Sequence, residues 1–580
     1  MHFTTILPPF ITFLSFVSCI SFTVLIKLAT SQLSMKKLWP LLFLFIIACG
    51  QKEQKKEYNA DLLIKNAVIY TVDSSFTIAQ CLVVSAGKII AVGDSSLQTK
   101  YIAHEVVDAG GHAIYPGFID AHSHFYKYGL GLQQANLKGV NSWQAIVDTV
   151  NVFAKQNTDG WLIGYGWDQN LWKNKQFPDK AKLDSLFPVR PVLLSRVDGH
   201  AAIANQAALN IADIKPGQTI NGGVIETVKG KLTGLLIDNA VGIVNRKIPP
   251  PDDSIARHAF LDAQRNCFAD GLTTVADCGQ PYTLINTIAD LQHTGDLKIR
   301  IFMMLTDRPE NYDYLFKHGA YKTPGLNVCC FKMYADGALG SRGACLLQPY
   351  ADQKNWRGFL LSTQQHFMDV AQKVYAHGFQ LATHAIGDSA NRVILKIYAS
   401  ILKGKNDRRW RIEHSQIINP GDFGIFGQYN IIPSVQPTQA TSDMYWAGKR
   451  LGPLRIKTAY ANKQLLNENG WLPLGTDFPV ENINPIYTFY AAVERKDLNG
   501  YPANGFQPAN ALSREQALRG ITIWAAKAQF EEKEKGSIEP GKYADFVILD
   551  KDIMKINGAD LPKVKVLKTY VNGEKVYEKK

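Results

Sequence analysis

The chain has 580 residues, 46% hydrophobic, 11% aromatic and 20% charged, a composition that excludes disordered, collagenous and coiled-coil proteins and permits a large core. Its formal net charge is +12, from 63 basic and 51 acidic residues. The basic residues are scattered, with no dense Lys/Arg run interleaved with aromatics, so nucleic acid is not an expected partner.

In chain order, residues 1–60 read as an address and a tether. Met35 opens a complete secretory signal: Lys36 and Lys37, an apolar run over 38–47, then small residues at Ala48-Cys49-Gly50. Residues 1–34 are therefore read as an upstream extension and 35–48 as the signal peptide. Ile46-Ile47-Ala48-Cys49 resembles the bacterial lipobox, in which the cysteine is lipidated and becomes the mature N-terminus. Residues 49–60 would then be a polar tether, and the expected location is the bacterial cell envelope, anchored to the membrane by a lipid on Cys49, with the folded part outside the cytoplasm. The alternative is an anchor over 8–26; the apolar run after Lys37 is too short to span a bilayer. Residues 1–48 hold Lys27, Lys36 and Lys37 and no acid, so their removal leaves 60 basic against 51 acidic residues, or +9. Of eight cysteines, Cys19 and Cys49 lie in this leader, and the other six form no C-x-x-C pair. Most sit in apolar runs, where a free cysteine packs as a small hydrophobe.

From residue 61 the chain reads as short strands over 62–64, 67–70, 82–84 and 88–92, with turns at Asp73-Ser74-Ser75 and Ala86-Gly87. A similar pattern returns over 544–549 and 566–571, closed by Asn572-Gly573. The two ends together, 61–116 and 530–580, predict one small β-sandwich. Between them, over 117–529, β-rich runs alternate with helix-length stretches: 117–121, 273–276, 299–305, 328–334, 380–383, 411–413, 431–435 and 472–476. Eight such runs predict an α/β fold, a (β/α)8 TIM-like barrel. The gap of about 150 residues after the first strand far exceeds an ordinary connection, so about 126–270 is an insertion forming a lid or subdomain.

The chemistry gathers at strand ends. The first strand runs into Asp120-Ala121-His122-Ser123-His124, and alternation puts His122 and His124 on one face. Two imidazoles at the C-terminal end of a barrel strand can hold one divalent ion such as zinc. His384, His414 and Asp477 each close a later apolar run, where barrel enzymes place their working groups. A cap or a satisfied core residue explains any one of these placements, but not all of them together.

The stretch from Gly117 to His124 with His384, His414 and Asp477 resembles the metal-dependent amidohydrolase superfamily. Four further segments resemble its family 3 branch, which includes N-substituted formamide deformylases: Gly164-Tyr165-Gly166-Trp167-Asp168, Asp198-Gly199-His200-Ala201, the run from Lys332 to Arg342, and His384-Ala385-Ile386-Gly387-Asp388. The closing segment from Gly536 to Asp545 fits as well, and the likeness spans nearly everything from Asp61 to Lys580. The resemblance implies a barrel with a β-sandwich that hydrolyses non-peptide carbon–nitrogen bonds in a small-molecule amide, with one or two divalent ions, zinc foremost.

On that resemblance His122, His124 and Asp477 would hold one metal and His384 and His414 a second. Lys332, on the fourth strand, would bridge them if carboxylated, because an anionic bridge offsets the repulsion of two dications. The alternative is an ordinary lysine paired with Asp336 beside a single ion. Cys330 shares the face and is a lesser bridging candidate. The metal would lower the pKa of water towards about 7, supplying hydroxide at neutral pH. Asp477 would shuttle its proton to the leaving nitrogen. His200 is the favoured catalytic contact to the carbonyl, with Trp167, Asp336 and Arg342 as further candidates around the substrate. Rival readings are a cyclic-amide hydrolase or deaminase on the same site, and a non-catalytic surface binding protein.

Overall fold

The computed structural model describes residues 59–157 and 160–580. The signal, Cys49 and nearly all of the tether lie outside the described residues. No helix among the described residues is long and apolar enough to cross a membrane.

A parallel sheet forms the centre, in the order Phe118–Ser123, Leu272–Gln280, Arg300–Thr306, Leu326–Tyr334, Gln380–Ala385, Arg411–His414 and Ile432–Ser434. These are the first seven runs expected from the sequence, lengthened or shortened by a few residues. The eighth, 472–476, is not a strand. Leu474 makes one parallel bridge to Val435, while its carbonyl accepts from Ala121 N at 3.2 Å. The Asp477 N–H donates to His122 O at 2.8 Å. The segment thus lies between the last strand and the first and brings the sheet nearly to closure. Pro473 cannot donate to a ladder, which helps explain why pairing here shrinks to single bonds.

Outward-facing strand residues such as Val275, Met303, Phe331 and Leu381 pack with helix side chains such as Phe260, Ile285, Phe367 and Ile394 in one large apolar cluster. Inside the barrel, Ala276, Phe302, Met304, Cys330 and Ala382 form a small plug. Cys330, named as a bridging candidate, belongs to that plug and packs as a hydrophobe.

Both chain ends meet in two further sheets. One orders Lys88–Gly93, Cys81–Ser85, Ala60–Lys65 and Ala103–Asp108; the other orders Glu574–Glu578, Val566–Val571, Phe546–Leu549, Ala113–Pro116, Val68–Tyr70 and Ile78–Ala79. Leu62, Ile64 and Leu82 of the first share a buried cluster with Ile69, Ile114, Phe546 and Ile548 of the second. Between the first two barrel strands, a sheet of six strands runs from Ala135–Asn136 to Lys231–Asp238, with its own cores on its two faces.

Candidate active site

The C-terminal ends of the barrel strands and the inserted sheet enclose a cavity of about 630 Å³. His124, Lys332, His384, His414 and Asp477 line it, with His200 and Asp198 from the inserted region. His122 lies fully buried behind them, its ring centroid 4.8 Å from that of His414. The His384 ring lies 4.6 Å from His414 and 5.2 Å from His200. Strand ends separated by hundreds of residues therefore bring the expected ligands together.

The orientation of three imidazoles follows from their outer partners. His122 Nδ1 lies 2.5 Å from Glu413 Oε2, His124 Nδ1 lies 3.1 Å from the Cys278 carbonyl, and His414 Nδ1 lies 2.7 Å from Gln436 Oε1. Each partner is an acceptor, so each Nδ1–H points outward, and in the neutral ring that a metal ligand requires each Nε2 turns a lone pair inward. Burial pushes His124 down to about 4, His414 down to about 3 and His384 well below its ordinary value, whereas Cys278 and Glu413 beside His122 raise it to about 10 against burial. Burial would raise Asp477, but the His124 and His122 rings beside it hold its carboxyl well below the usual range.

In that neutral form lone pairs face lone pairs. Asp477 Oδ1 lies 3.4 Å from His124 Nε2 and 3.5 Å from His122 Nε2. The ligand atoms of His122, His414 and Asp477 all lie within 4.8 Å of one another. Four buried atoms here have no hydrogen-bond partner: His122 Nε2, His384 Nε2, Asp477 Oδ1 and Lys332 Nζ. Buried polar atoms are almost always satisfied, and inward-turned acceptors repel unless a cation lies among them. The donor set of imidazole nitrogens and one carboxylate fits a borderline-soft divalent ion such as zinc.

His414 and Asp477 are held at φ +71° and +64°, in the left-handed region that side chains other than glycine and asparagine rarely adopt. Such strain costs on the order of 1–3 kcal/mol per residue and persists only where its surroundings fix it. His414 closes the strand Arg411–His414 and Asp477 follows the 472–476 segment, and both side chains line the cavity.

Sequence reasoning missed the second layer. Glu413 sits beside His414 and was read only as part of a strand, yet it grips His122 across 291 residues of chain. Arg411 in turn clasps Glu413 with Nε to Oε1 at 2.6 Å and Nη2 to Oε2 at 3.0 Å. Burial alone would raise the Glu413 carboxyl, but the Arg411 guanidinium and the His122 ring beside it hold it far below the usual range. Period-two alternation spanning Arg411 and Glu413 was the available signal. His200, from the insertion, gives its Nδ1 to Asp238 Oδ1 at 2.6 Å, and against the pull of burial this carboxylate raises its pKa.

Three proposed substrate contacts stand elsewhere. Trp167 is fully buried in the inserted region, where Nε1 donates to Leu194 O at 2.7 Å, because the strand pairing shifts by one residue between Tyr165 and Trp167. It is Asp168 that lines the cavity, ion-paired with Arg196. Arg342 is half-buried outside the cavity and pairs with Asp352 at 3.0 Å. Asp336, with no exposed surface, accepts the N–H groups of Ile386, Gly387 and Cys345 at 2.8–2.9 Å. Its Oδ1 lies 3.6 Å from His384 Nε2, and no contact joins it to Lys332 among the described residues.

Comparisons with known proteins identify the family. The chain is 33% identical over 538 residues to the protein LONG AFTER FAR-RED 3 of Arabidopsis thaliana, covering 89% of this chain and 92% of that protein. It is 26% identical over 554 residues to an N-substituted formamide deformylase of Arthrobacter pascens, covering 90% and 98%. Among solved structures, an uncharacterized metal-dependent hydrolase of Pyrococcus horikoshii superposes with a TM-score of 0.71 at 26% identity, over 86% of this chain and 99% of that one. The model of the amidohydrolase family 3 matches residues 105–577. With that match over most of its length, the chain belongs to the amidohydrolase family, enzymes that hydrolyse carbon–nitrogen bonds with bound metal.

Proposed function

We propose that the protein hydrolyses a non-peptide amide, with an N-substituted formamide as the first class to test. The observation that carries this reading is the set of inward-facing, unpartnered atoms on His122, His384, Asp477 and Lys332 at one cavity floor. A relative named for formamide deformylation gives the substrate class. His122, His124, His384, His414 and Asp477 would hold one or two divalent ions, zinc foremost. Such an ion, when bound, supplies Lewis acidity and makes water nucleophilic near neutral pH.

The protein groups divide the remaining work. Asp477, ionised and with Oδ2 accepting from Gln439 Nε2 at 3.1 Å, takes a proton from the attacking water and returns it to the departing nitrogen. His200, raised in pKa beside Asp238, donates Nε2–H to the substrate carbonyl oxygen as charge grows there. The products are a carboxylic acid and an amine. For Lys332 we favour the carbamate. An ammonium with no hydrogen-bond partner, fully buried among inward-facing ligands, carries a desolvation cost of several kcal/mol, whereas a carbamate would bridge two ions.

The wider architecture completes the proposal. The two terminal sheets form a β-sandwich from 61–116 and 530–580, and the insertion, about 126–270, roofs the barrel of 117–529. A signal over 35–48 and a lipid on Cys49 would hold the enzyme in the cell envelope. Metal analysis of the purified protein, combined with a screen of N-formyl, N-acyl and cyclic amides, tests the chemistry. Chelation should abolish turnover, and zinc or manganese should restore it. Lys332→Ala should lower metal content from two ions towards one per chain. Full activity after verified metal removal would defeat the proposal.

A further inference from the structure

Asp238 ends the inserted strand Lys231–Asp238 and precedes the helix Asn239–Asn245. Its backbone stands at φ 51°, ψ −120°, outside the regions open to a residue with a side chain, at a cost on the order of 1–3 kcal/mol. Its side chain has no exposed surface. Oδ1 receives the His200 ring at 2.6 Å, and the Asp238 N–H donates to the His200 carbonyl at 2.8 Å, so one residue grips the other at two points. Oδ2 is buried with no partner.

A loop of the barrel makes room for this carboxylate. A Cβ on Gly337 would lie 2.5 Å from both Asp238 oxygens, and one on Gly343 would lie 2.3 Å from Oδ2. Neither glycine has a φ in the left-handed region, so space, and not backbone freedom, requires glycine there. Both follow the fourth barrel strand, Leu326–Tyr334, which carries Lys332. An acid recruited to fasten that loop would use both oxygens on loop N–H groups, as Asp336 does nearby. Among the described residues the one side-chain hydrogen-bond partner of Asp238 is His200, whose ring leaves only Nε2 for the cavity.

We propose that Asp238 is a positioning residue: seated against Gly337 and Gly343 of the barrel, it fixes the His200 ring of the insertion over the ligand cluster, so docking of the two regions completes the site. This rests on the reading above that His200 contacts the substrate carbonyl. A double-mutant cycle with an independent spectroscopic readout tests it. Asp238→Asn should lower kcat about 10- to 100-fold, with KM and metal content unchanged, as loss of a partner behind a working group does. In a His200→Gln background the same change should cost nothing more, because coupled residues fail to add. Gly337→Ala, which keeps both side chains but displaces the carboxylate, should lower kcat in the same way, and it stands in if Asp238→Asn does not fold.

The readout that needs no turnover is a far-downfield proton resonance from His200 Nδ1–H. It should be present in the wild type, absent in His200→Gln and lost in Asp238→Asn. If that pattern appears in a protein that turns over no amide, the proposed reaction fails while the positioning stands. Additive losses in the cycle, or a resonance that survives Asp238→Asn, would overturn the proposal.

Discussion

Arg300 and Lys332 sit on neighbouring parallel strands, both with their charged ends removed from water, at opposite ends of one barrel. At the N-terminal end every face of the Arg300 guanidinium is used. It donates to Asp545 Oδ2 at 2.6 Å and Oδ1 at 2.9 Å, to Asn572 Oδ1 at 2.6 Å and to Pro324 O at 2.7 Å, and it stacks 3.8 Å over the Tyr543 ring. At the C-terminal end Lys332 Nζ has no hydrogen-bond partner among the described residues and lies 4.6 Å over the Tyr334 ring. A buried charge that is fully paired joins two pieces of structure. Unpaired polar atoms gathered at one point are held open for something that binds, which is how barrel enzymes divide their two ends.

The first way to break this contrast is at the paired end. Arg300→Leu keeps a long apolar side chain but leaves Asp545 buried with only the Asn572 N–H, at 2.9 Å, to answer it. Removing one partner of such a pair costs about 3–5 kcal/mol. Denaturant titration should show that loss, while kcat and metal content of the folded fraction stay at wild-type values. A comparable fall in kcat would mean that the sheet junction also tunes the site.

The second acts behind the ligands. Glu413→Gln preserves shape but removes the charge that keeps the proton on His122 Nδ1 and the charge that Arg411 answers. Metal affinity should fall about 10- to 100-fold, as with other outer partners of metal-ligating histidines. Metal titration of chelator-stripped protein measures it. An unchanged affinity would remove His122 from the ligand set.

What the sequence made legible follows from the range of the forces involved. Most of the barrel strands were visible because they are buried, largely apolar runs of local origin, such as Val328 to Met333 between the turn at Gly325 and the loop at Asp336, while Arg411–His414 is buried but mostly polar. His122, His384, His414 and Asp477 were visible because polar residues ending apolar runs contradict the local pattern. The 472–476 segment had the same apolar signature, but its pairing is limited by Pro473 and by the two strands it must reach. Glu413 gripping His122, and Asp238 gripping His200, are choices among many polar residues made by tertiary contact alone. Local pattern does not select them, and Asp336 and Arg342 were assigned to the substrate for the same reason.

The smallest expected effect tests a one-residue error. In Gly164-Tyr165-Gly166-Trp167-Asp168, unbroken alternation would put Tyr165 and Trp167 on the same face, and Trp167 was read as a substrate contact on the family resemblance. Gly166 instead takes φ +113°, and the pairing slips so that Tyr165 faces Ser195 while Trp167 faces Arg196. The slip turns the indole into the core of the inserted region, 6.0 Å from the Trp172 ring, and leaves Asp168 to the cavity. Trp167→Phe therefore removes one buried hydrogen bond, to Leu194 O, worth about 1 kcal/mol. It should lower stability by that amount and leave KM and kcat for any accepted amide unchanged, because no cavity surface is altered. Steady-state kinetics beside a denaturation curve decides the matter. A raised KM at unchanged stability would return the indole to the substrate and would mean that the slip at Gly166 is undone when the site is filled.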